Sequence, residues 1–343
     1  MSSMPRRTRV AVVFGGRSID HAVSCVSAGN ILGAIDSDEF EIVPIGITRE
    51  GRWVLTNADE RPTEVENLPV KRDVTVVEPS DGVRGLTDVD VVFPVLNGAF
   101  GEDGTIQGLL EMAGLPYVGS GVFASAAAMD KEFGKKLADN AGIPVGPHVV
   151  LRAGQTLGEA DLVRLGLPVF VKPARAGSSF GISKVRDWDD LDRAIAETRE
   201  VDPKVIIEAA IVGRAIEVGV LEGEHGGPPE ASVPAEIRIP AGHEFFDLDV
   251  ADFHVPADLP ASVAERLRRY AIQAFISLDC AGLASVDFFV TPSFEIYLNE
   301  INTMPGFTRQ SLFPMMWSAS GLDYPKLVSR LINTALVRGT GLH

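Results

Sequence analysis

The residues of this chain best suited to chemistry stand near its C-terminal end. In the run 295–302, Glu-Ile-Tyr-Leu-Asn-Glu-Ile-Asn, strand alternation puts Ile296, Leu298, Glu300 and Asn302 on one face. Asp287, in the preceding apolar run 284–290, lies within cross-strand reach of them. An Asp, a Glu and an Asn converging offer hard oxygen donors that suit Mg²⁺ or Mn²⁺, ions that keep waters and take further ligands from substrate phosphates. A solvated strand end is the plain alternative, and the cost of acids on apolar strands counts against it.

A second constellation starts at 168–173, Pro-Val-Phe-Val-Lys-Pro, a strand ending in Lys172. It continues into Ala-Arg-Ala-Gly-Ser-Ser-Phe-Gly over 174–181, where backbone N–H groups and the hydroxyls of Ser178 and Ser179 can lie over phosphate oxygens while Lys172 supplies charge. No Gly-Lys-Ser/Thr opens a helix here, so this is not a Walker loop. Lys131, inside a helix expected over 124–140, is a candidate second phosphate ligand, against the alternative of a solvated helix lysine. Glu208, Ala209 and Ile211, at the end of the apolar run 205–208, fit either an adenine hinge, with Glu208 accepting from the exocyclic amine, or a plain core strand.

Other motifs are excluded. Gly15-Gly16-Arg17-Ser18 follows a strand but lacks the third glycine of a dinucleotide fingerprint; this loop and the one over 97–104 can still hold a small substrate at the carboxyl ends of parallel strands. Six histidines are scattered without metal spacing, and no Ser/His/Asp or Cys/His triad is readable. Cys25 and Cys280 form neither a disulfide framework nor a zinc pattern.

The elements that must carry these residues follow from periodicity. Strand-like runs at 10–14, 41–45 and 89–95 alternate with helical stretches at 22–35 and 105–113, a β-α-β pattern that implies a parallel sheet covered by helices. A hairpin plus loops is expected between 53 and 86. After Gly119-Ser120-Gly121 the pattern becomes mixed, as in an α+β unit, and a third unit begins near residue 213. The expected division is 1–120, 121–212 and 213–343.

The 343 residues are 45% hydrophobic with mean hydropathy +0.15, enough for several cores. Acidic residues outnumber basic ones 47 to 31, a net charge of −16 that disfavours nucleic acid and anionic membrane as partners. No apolar run reaches the roughly 18 residues of a membrane helix, and the start of the chain has no signal-type apolar region, so a reduced cytoplasmic setting is expected. Only eight of the 31 basic residues are lysines; where this chain uses a lysine, a compact ammonium is called for.

Several motifs together resemble the D-alanine:D-alanine ligases of the ATP-grasp superfamily: Phe14-Gly-Gly-Arg-Ser, Gly101-Glu-Asp-Gly-Thr-Ile-Gln-Gly-Leu-Leu, Tyr117-Val-Gly-Ser-Gly, Met129-Asp-Lys, Phe170-Val-Lys-Pro, Gly177-Ser-Ser-Phe-Gly and Leu298-Asn-Glu-Ile-Asn-Thr-Met-Pro-Gly-Phe. They span almost the whole chain in order. The resemblance implies a Rossmann-like N-terminal domain followed by two ATP-grasp subdomains. It also implies ATP and Mg²⁺, an acyl-phosphate route from two D-alanines to D-alanyl-D-alanine for peptidoglycan, and a homodimer. By the same resemblance Asp20, Ser178, Gly306 and Ser311 are the catalytic residues, with Asp20 at the first amino acid and Ser311 at the carboxylate of the second. Lys131, Lys172, Ser178, Ser179, Glu208, Ala209, Ile211 and Glu217 belong to the ATP site, and Asp287, Glu300 and Asn302 to the metal.

Certain matched positions depart from the family pattern. Asp20 replaces a Glu, Asn97 a His, Ala215 a ribose-holding Glu, and Ser285 the Arg that stabilises the oxyanion. The segment 246–253 is shorter than the family's lid and lacks its Lys-Tyr pair. Two alternatives therefore stand beside the D-alanine ligase: a ligase of the same chemistry on another amino acid, hydroxy acid or amine, and a nucleotide-binding pseudo-ligase.

Overall fold

The structure, a computed structural model, describes residues 6–55, 76–77, 86, 88–177, 180–238 and 252–341. The first sheet is built on β1 (Thr8–Gly15), whose residues Val10 to Phe14 are fully buried. It runs parallel to β2 (Phe40–Ile47) on one side and β5 (Val91–Val95) on the other, with α1 (His21–Leu32) as the crossover from β1 to β2. β3 (Trp53–Leu55) and β4 (Val76–Val77) extend the sheet antiparallel beyond β2, which is the expected hairpin. The helices α2 (Thr105–Ala113) and α3 (Val122–Met129) follow.

The expected single helix over 124–140 is two. Asp130 has extended backbone angles and its carboxylate accepts from Glu132 N–H, so it ends α3 and caps α4 (Lys131–Asn140). Lys131 N–H donates instead to Ala174 O, at the foot of the Gly/Ser loop. The break places Lys131 in the first turn of a helix rather than mid-helix, with its base tied to the loop it is expected to serve.

The second sheet is antiparallel, in the order β6 (His148–Leu151), β9 (Val205–Ala209), β7 (Val169–Pro173), β8 (Ser183–Val185). One face packs on α5 (Glu159–Leu165) and α6 (Leu191–Arg199) through Val169, Val171, Val205 and Ile207. Alternation turns Lys172 and Glu208 to the opposite face.

The third sheet carries β10 (Arg214–Leu221) at its centre, flanked by β12 (Ala235–Arg238) and β14 (Leu283–Val290); β13 (Asp252–His254) and β15 (Ile296–Asn302) lie outermost, and the short β11 (Glu230–Ala231) also pairs with β10. Its apolar face, including Val218, Val286 and Phe288, is covered by α7 (Ala261–Ser277). Beyond β15, α8 (Leu312–Ala319) and α9 (Tyr324–Arg338) fold back on the first sheet. Phe307, Phe313, Leu327 and Leu331 share one core with Val10, Phe14 and Phe93. Arg338, on α9, donates to the carbonyls of Tyr117 and Gly119, tying the two ends of the fold together.

One expectation about β15 is corrected. Asp287 pairs with Glu300 but Phe288 with Leu298, so Asn299 is an extra residue bulged out of the ladder. A bulge shifts side-chain alternation by one. Ile296 and Leu298 therefore join Phe288 in the core beneath α7, while Glu300 and Asn302 turn to the other face with Asp287. The four residues do not share a face; the bulge separates the strand's anchors from its oxygen ligands.

Candidate active site

The ladder fixes the oxygen face. Ser285 lies opposite Asn302, Asp287 opposite Glu300, and on the other side Glu217 opposite Asp287 and Gly219 opposite Ser285. Glu217, expected at the nucleotide, thus adds its carboxylate to the row of Asp287 and Glu300. Burial pushes Asp287 well above the usual carboxylate range, with Glu217 and Glu300 adding repulsion. Burial likewise raises Glu217 to about 7, against a pull from the Ser285 hydroxyl. Glu300 behaves oppositely: the ammonium groups of Lys131, Lys172 and Lys135 outweigh its burial and hold it below its ordinary value.

A divalent cation fits this face. Asp287 Oδ1 is buried and meets no partner among the described residues, and its Oδ2 makes only a long 3.4 Å contact with Asn302 Nδ2. Among the described residues no group of three His, Cys, Asp or Glu side chains is placed to hold a metal ion by itself, so the amide of Asn302 is needed beside the carboxylates. Two carboxylates and an amide oxygen suit Mg²⁺, which draws the rest of its octahedron from water and phosphate.

Opposite stands a cluster of lysines. Lys131 Nζ is 3.4 Å from Glu300 Oε2 and donates to Ala176 O at 2.8 Å. Lys172 Nζ lies 2.6 Å from Glu208 Oε2, and Lys135 Nζ 2.8 Å from Glu208 Oε1. Burial alone would raise the Glu208 carboxyl, but the two ammonium groups hold it far below the usual range. Glu208 is thus the shared counter-ion of two buried lysines in addition to its expected role as a hinge acceptor. The Ala209 and Ala210 N–H groups donate to the carbonyls of Pro147 and Pro168, so those two donors are used within the fold. Ile211 packs at Gly146, where a Cβ would come within 2.8 Å of its Cδ1. Ser178 and Ser179 lie outside the described residues.

The N-terminal loops bring a third group to the cleft. Asp20 N–H donates to Ser18 Oγ at 3.1 Å, and Gly98 sits against both side chains: its φ is +76° and a Cβ there would lie 2.6 Å from Asp20 Oδ2. Only glycine combines that backbone with that approach. Gly98 N–H donates to Glu102 Oε1 at 2.6 Å. Glu102 is half-buried, yet the protein around it desolvates the carboxyl and pushes it up to about 8. Asn97 donates to Met304 O at 3.0 Å, which leaves its buried Oδ1 without a partner among the described residues. Ser311 precedes α8, its Oγ shared with Thr308 N–H and Thr308 Oγ1, and Gly306 lies against it.

Lys135 and Glu102 are the residues that sequence reasoning passed over. Lys135 follows Lys131 by four, one turn along the same helix face, and a rare lysine repeating at that spacing was the available signal. Glu102 belongs to the 97–104 loop expected to hold a small substrate, but no role was assigned to it there; the hydrogen bonds at the start of α2 fall to Asp103, which accepts from Phe100 and Thr105 N–H. Two arginines that could stand in for one at Ser285, Arg175 and Arg309, are engaged elsewhere. Arg175 grips both oxygens of Asp202, and Arg309 lies 4.9 Å over the Tyr324 ring. Of the segment 246–253, only Asp252 and Phe253 fall within the described residues, paired to β12.

Comparison with known proteins identifies the family. Residues 9–120 match the family model described as D-ala D-ala ligase N-terminus, and residues 137–333 that described as D-ala D-ala ligase C-terminus. A D-alanine--D-alanine ligase of Nocardia farcinica is 56% identical, covering 99% of this chain and 100% of the relative. Among solved structures, the VanG D-Ala:D-Ser ligase from Enterococcus faecalis superposes with a TM-score of 0.85 at 35% identity, over 96% of this chain and 100% of the other. The D-alanine--D-alanine ligase from Bacillus anthracis complexed with ATP gives 0.78 at 29% identity, over 96% and 97%. With both family models matched in order and the relative matched end to end, the chain belongs to the D-alanine:D-alanine ligase family and has its ATP-grasp fold.

Proposed function

We propose that this ATP-dependent ligase joins two D-alanines through an acyl phosphate, with release of ADP and phosphate, as a step in making peptidoglycan precursors. The observation that carries the reading is the facing of two sets of charge: the Asp287, Glu300 and Asn302 oxygens on one wall, and Lys131 and Lys172 on the other. Phosphoryl transfer needs neutralisation and in-line positioning more than covalent help from the protein. In this reading Lys131 and Lys172 bind the triphosphate, Glu208 and Ile211 border the base, and Ser178 and Ser179 cover the phosphates. Asp287, Glu300 and Asn302 hold Mg²⁺ or Mn²⁺, which when bound neutralises charge building on the transferred group.

The carboxylate of the first D-alanine attacks the γ-phosphorus and ADP leaves. The amine of the second then attacks the acyl carbon, phosphate departs, and the amine's proton passes to solvent. Asp20 orients the first ammonium, while Gly306 and Ser311 hold the second carboxylate. The division at 120 and 212 belongs to the same proposal, the first and third units sharing a core. So do a homodimer and a cytoplasmic setting, in keeping with the ATP requirement and with the lack of any membrane-crossing helix among the described residues.

One observation favours a second reading, a ligase with the same chemistry on a different acid or amine. Ser285 is buried on the oxygen face where the resemblance expects an arginine, and Arg175 and Arg309 are both engaged elsewhere. ADP release with Mg²⁺-ATP, measured across D-alanine, other amino acids and hydroxy acids and paired with product identification, decides between them. D-Alanyl-D-alanine from D-alanine alone supports the first reading. Release only with another acid replaces it with the second, and ATP binding without release under any condition supports a pseudo-ligase.

A further inference from the structure

Lys135 is one of the most enclosed cations in the fold, 4% exposed, and it is not among the residues assigned above to any substrate. Its Nζ meets three oxygens from two different sheets: Glu208 Oε1 at 2.8 Å, Asn299 O at 2.6 Å and Leu298 O at 3.4 Å. Asn299 is the bulged residue of β15, and a bulge leaves backbone groups outside the ladder. Lys135 thus caps the irregularity that turns Glu300 and Asn302 toward the cleft. The same ammonium touches the carboxylate that holds Lys172.

That sharing poses an electrostatic problem that the fold itself answers. Lys172 cannot bind phosphate and keep its 2.6 Å pairing with Glu208 undisturbed. If Lys172 were the only partner, its departure would leave a buried carboxylate unpaired, which is strongly unfavourable. Lys135, anchored by the backbone carbonyls of Leu298 and Asn299, is a second partner already in place.

We propose that Lys135 is a positioning residue: it retains Glu208 and the Asn299 bulge while Lys172 transfers from Glu208 to the nucleotide's phosphates. This rests on the ATP-ligase reading above, and it makes the charge balance among Lys135, Lys172 and Glu208 a determinant of phosphate affinity.

Binding of ATP with Mg²⁺, and of tripolyphosphate, which has no base to read, is measured by calorimetry on the full chain. Wild type, Lys135→Met, Glu208→Gln and the double variant are compared. In Lys135→Met, Glu208 keeps Lys172 for itself. Affinity for both ligands falls on the order of 100-fold, and the kinetic effect lies mainly in KM for ATP rather than kcat. In the Glu208→Gln background, where there is no charge to hold, the same substitution changes tripolyphosphate affinity by less than about threefold. Wild-type-like binding by Lys135→Met overturns the proposal, as does an equal loss in both backgrounds, which is the mark of a packing role alone.

If Lys135→Met does not fold, Glu208→Gln alone decides. With the competitor for Lys172 neutralised, tripolyphosphate binds several-fold tighter than to wild type; equal or weaker binding overturns the idea. A wild-type chain that binds neither ATP nor tripolyphosphate removes the functional reading itself, and this inference with it.

Discussion

Replacing Lys172 by alanine tests the phosphate wall most directly. The side chain is 12% exposed, extends from the penultimate residue of β7 and ends 2.6 Å from Glu208 Oε2. A hydrogen bond from an ammonium to phosphate contributes about 1.5–3 kcal/mol. At 1.36 kcal/mol per factor of ten, its loss lowers kcat/KM for ATP by roughly 10- to 150-fold. The fold loses less. Stripping a buried carboxylate of its sole partner costs about 3–5 kcal/mol, but Glu208 keeps Lys135 at 2.8 Å, so the stability loss falls below that range. Arginine is no substitute, because a planar fork does not fit a slot shaped for a point charge. The assay is coupled ADP release against ATP concentration, with thermal melting as the folding control. A Lys172→Ala chain that melts cooperatively and keeps kcat/KM for ATP within about threefold of the parent, well under the worked range, refutes the assignment of Lys172 to the phosphates.

Three further outcomes are expected. Ser285→Arg places a guanidinium beside Glu217 and Asp287; one oxyanion donor is worth about 10²–10³ in rate, so kcat with D-alanine rises at least tenfold on this scale, and an unchanged or lower kcat argues that the position plays no such part. Glu236 is gripped by Arg214 at 2.7 and 2.8 Å and by Arg238, and these hydrogen bonds, led by Arg214, hold its carboxyl at about 2 against an ordinary 4.5. A depressed carboxylate stabilises the fold above its unfolded pKa and loses that contribution as pH falls from about 4.5 toward 2, here about 2 kcal/mol after allowing for the partly exposed arginines. Melting temperature between pH 6 and 3 therefore drops more steeply for wild type than for Glu236→Gln, and parallel curves refute the linkage. Asp130→Ala removes the cap of α4 and one of two carboxylates on the buried Lys204; chemical denaturation should show a loss of about 2–3 kcal/mol with weaker ATP binding through Lys131, and unchanged values in both measurements count against the link.

Legibility in the sequence followed the range of the interaction. The parallel strands of the first sheet and the β14–β15 pair are local apolar patterns, and they could be read because alternation needs only a few neighbouring residues. The Asn299 bulge could not. Nothing in Leu-Asn-Glu marks an extra residue, and its carbonyl is held by Lys135, a side chain 164 positions away. The break at Asp130 was half legible: Met129-Asp130-Lys131 stood out as a motif, but a strong helical pattern on both sides hid the cap, which the contact of Lys131 N–H with Ala174 O, just past the end of β7, reinforces.

Three of the chain's few lysines gather for a physical reason. Lys131, Lys135 and Lys172 approach one another closely enough to act together on Glu300 and Glu208. Three arginines could not share so small a volume, since each guanidinium needs a broad planar partner. An acidic chain can therefore build a polyanion site without a basic surface: it buries a few compact cations against carboxylates that keep them charged while the site is empty. The same pairing sets the cost of filling it, because each phosphate oxygen must take a lysine from a carboxylate already in contact. Nucleotide affinity in such a site depends less on how many cations line it than on what remains to hold the carboxylates once the cations have turned away.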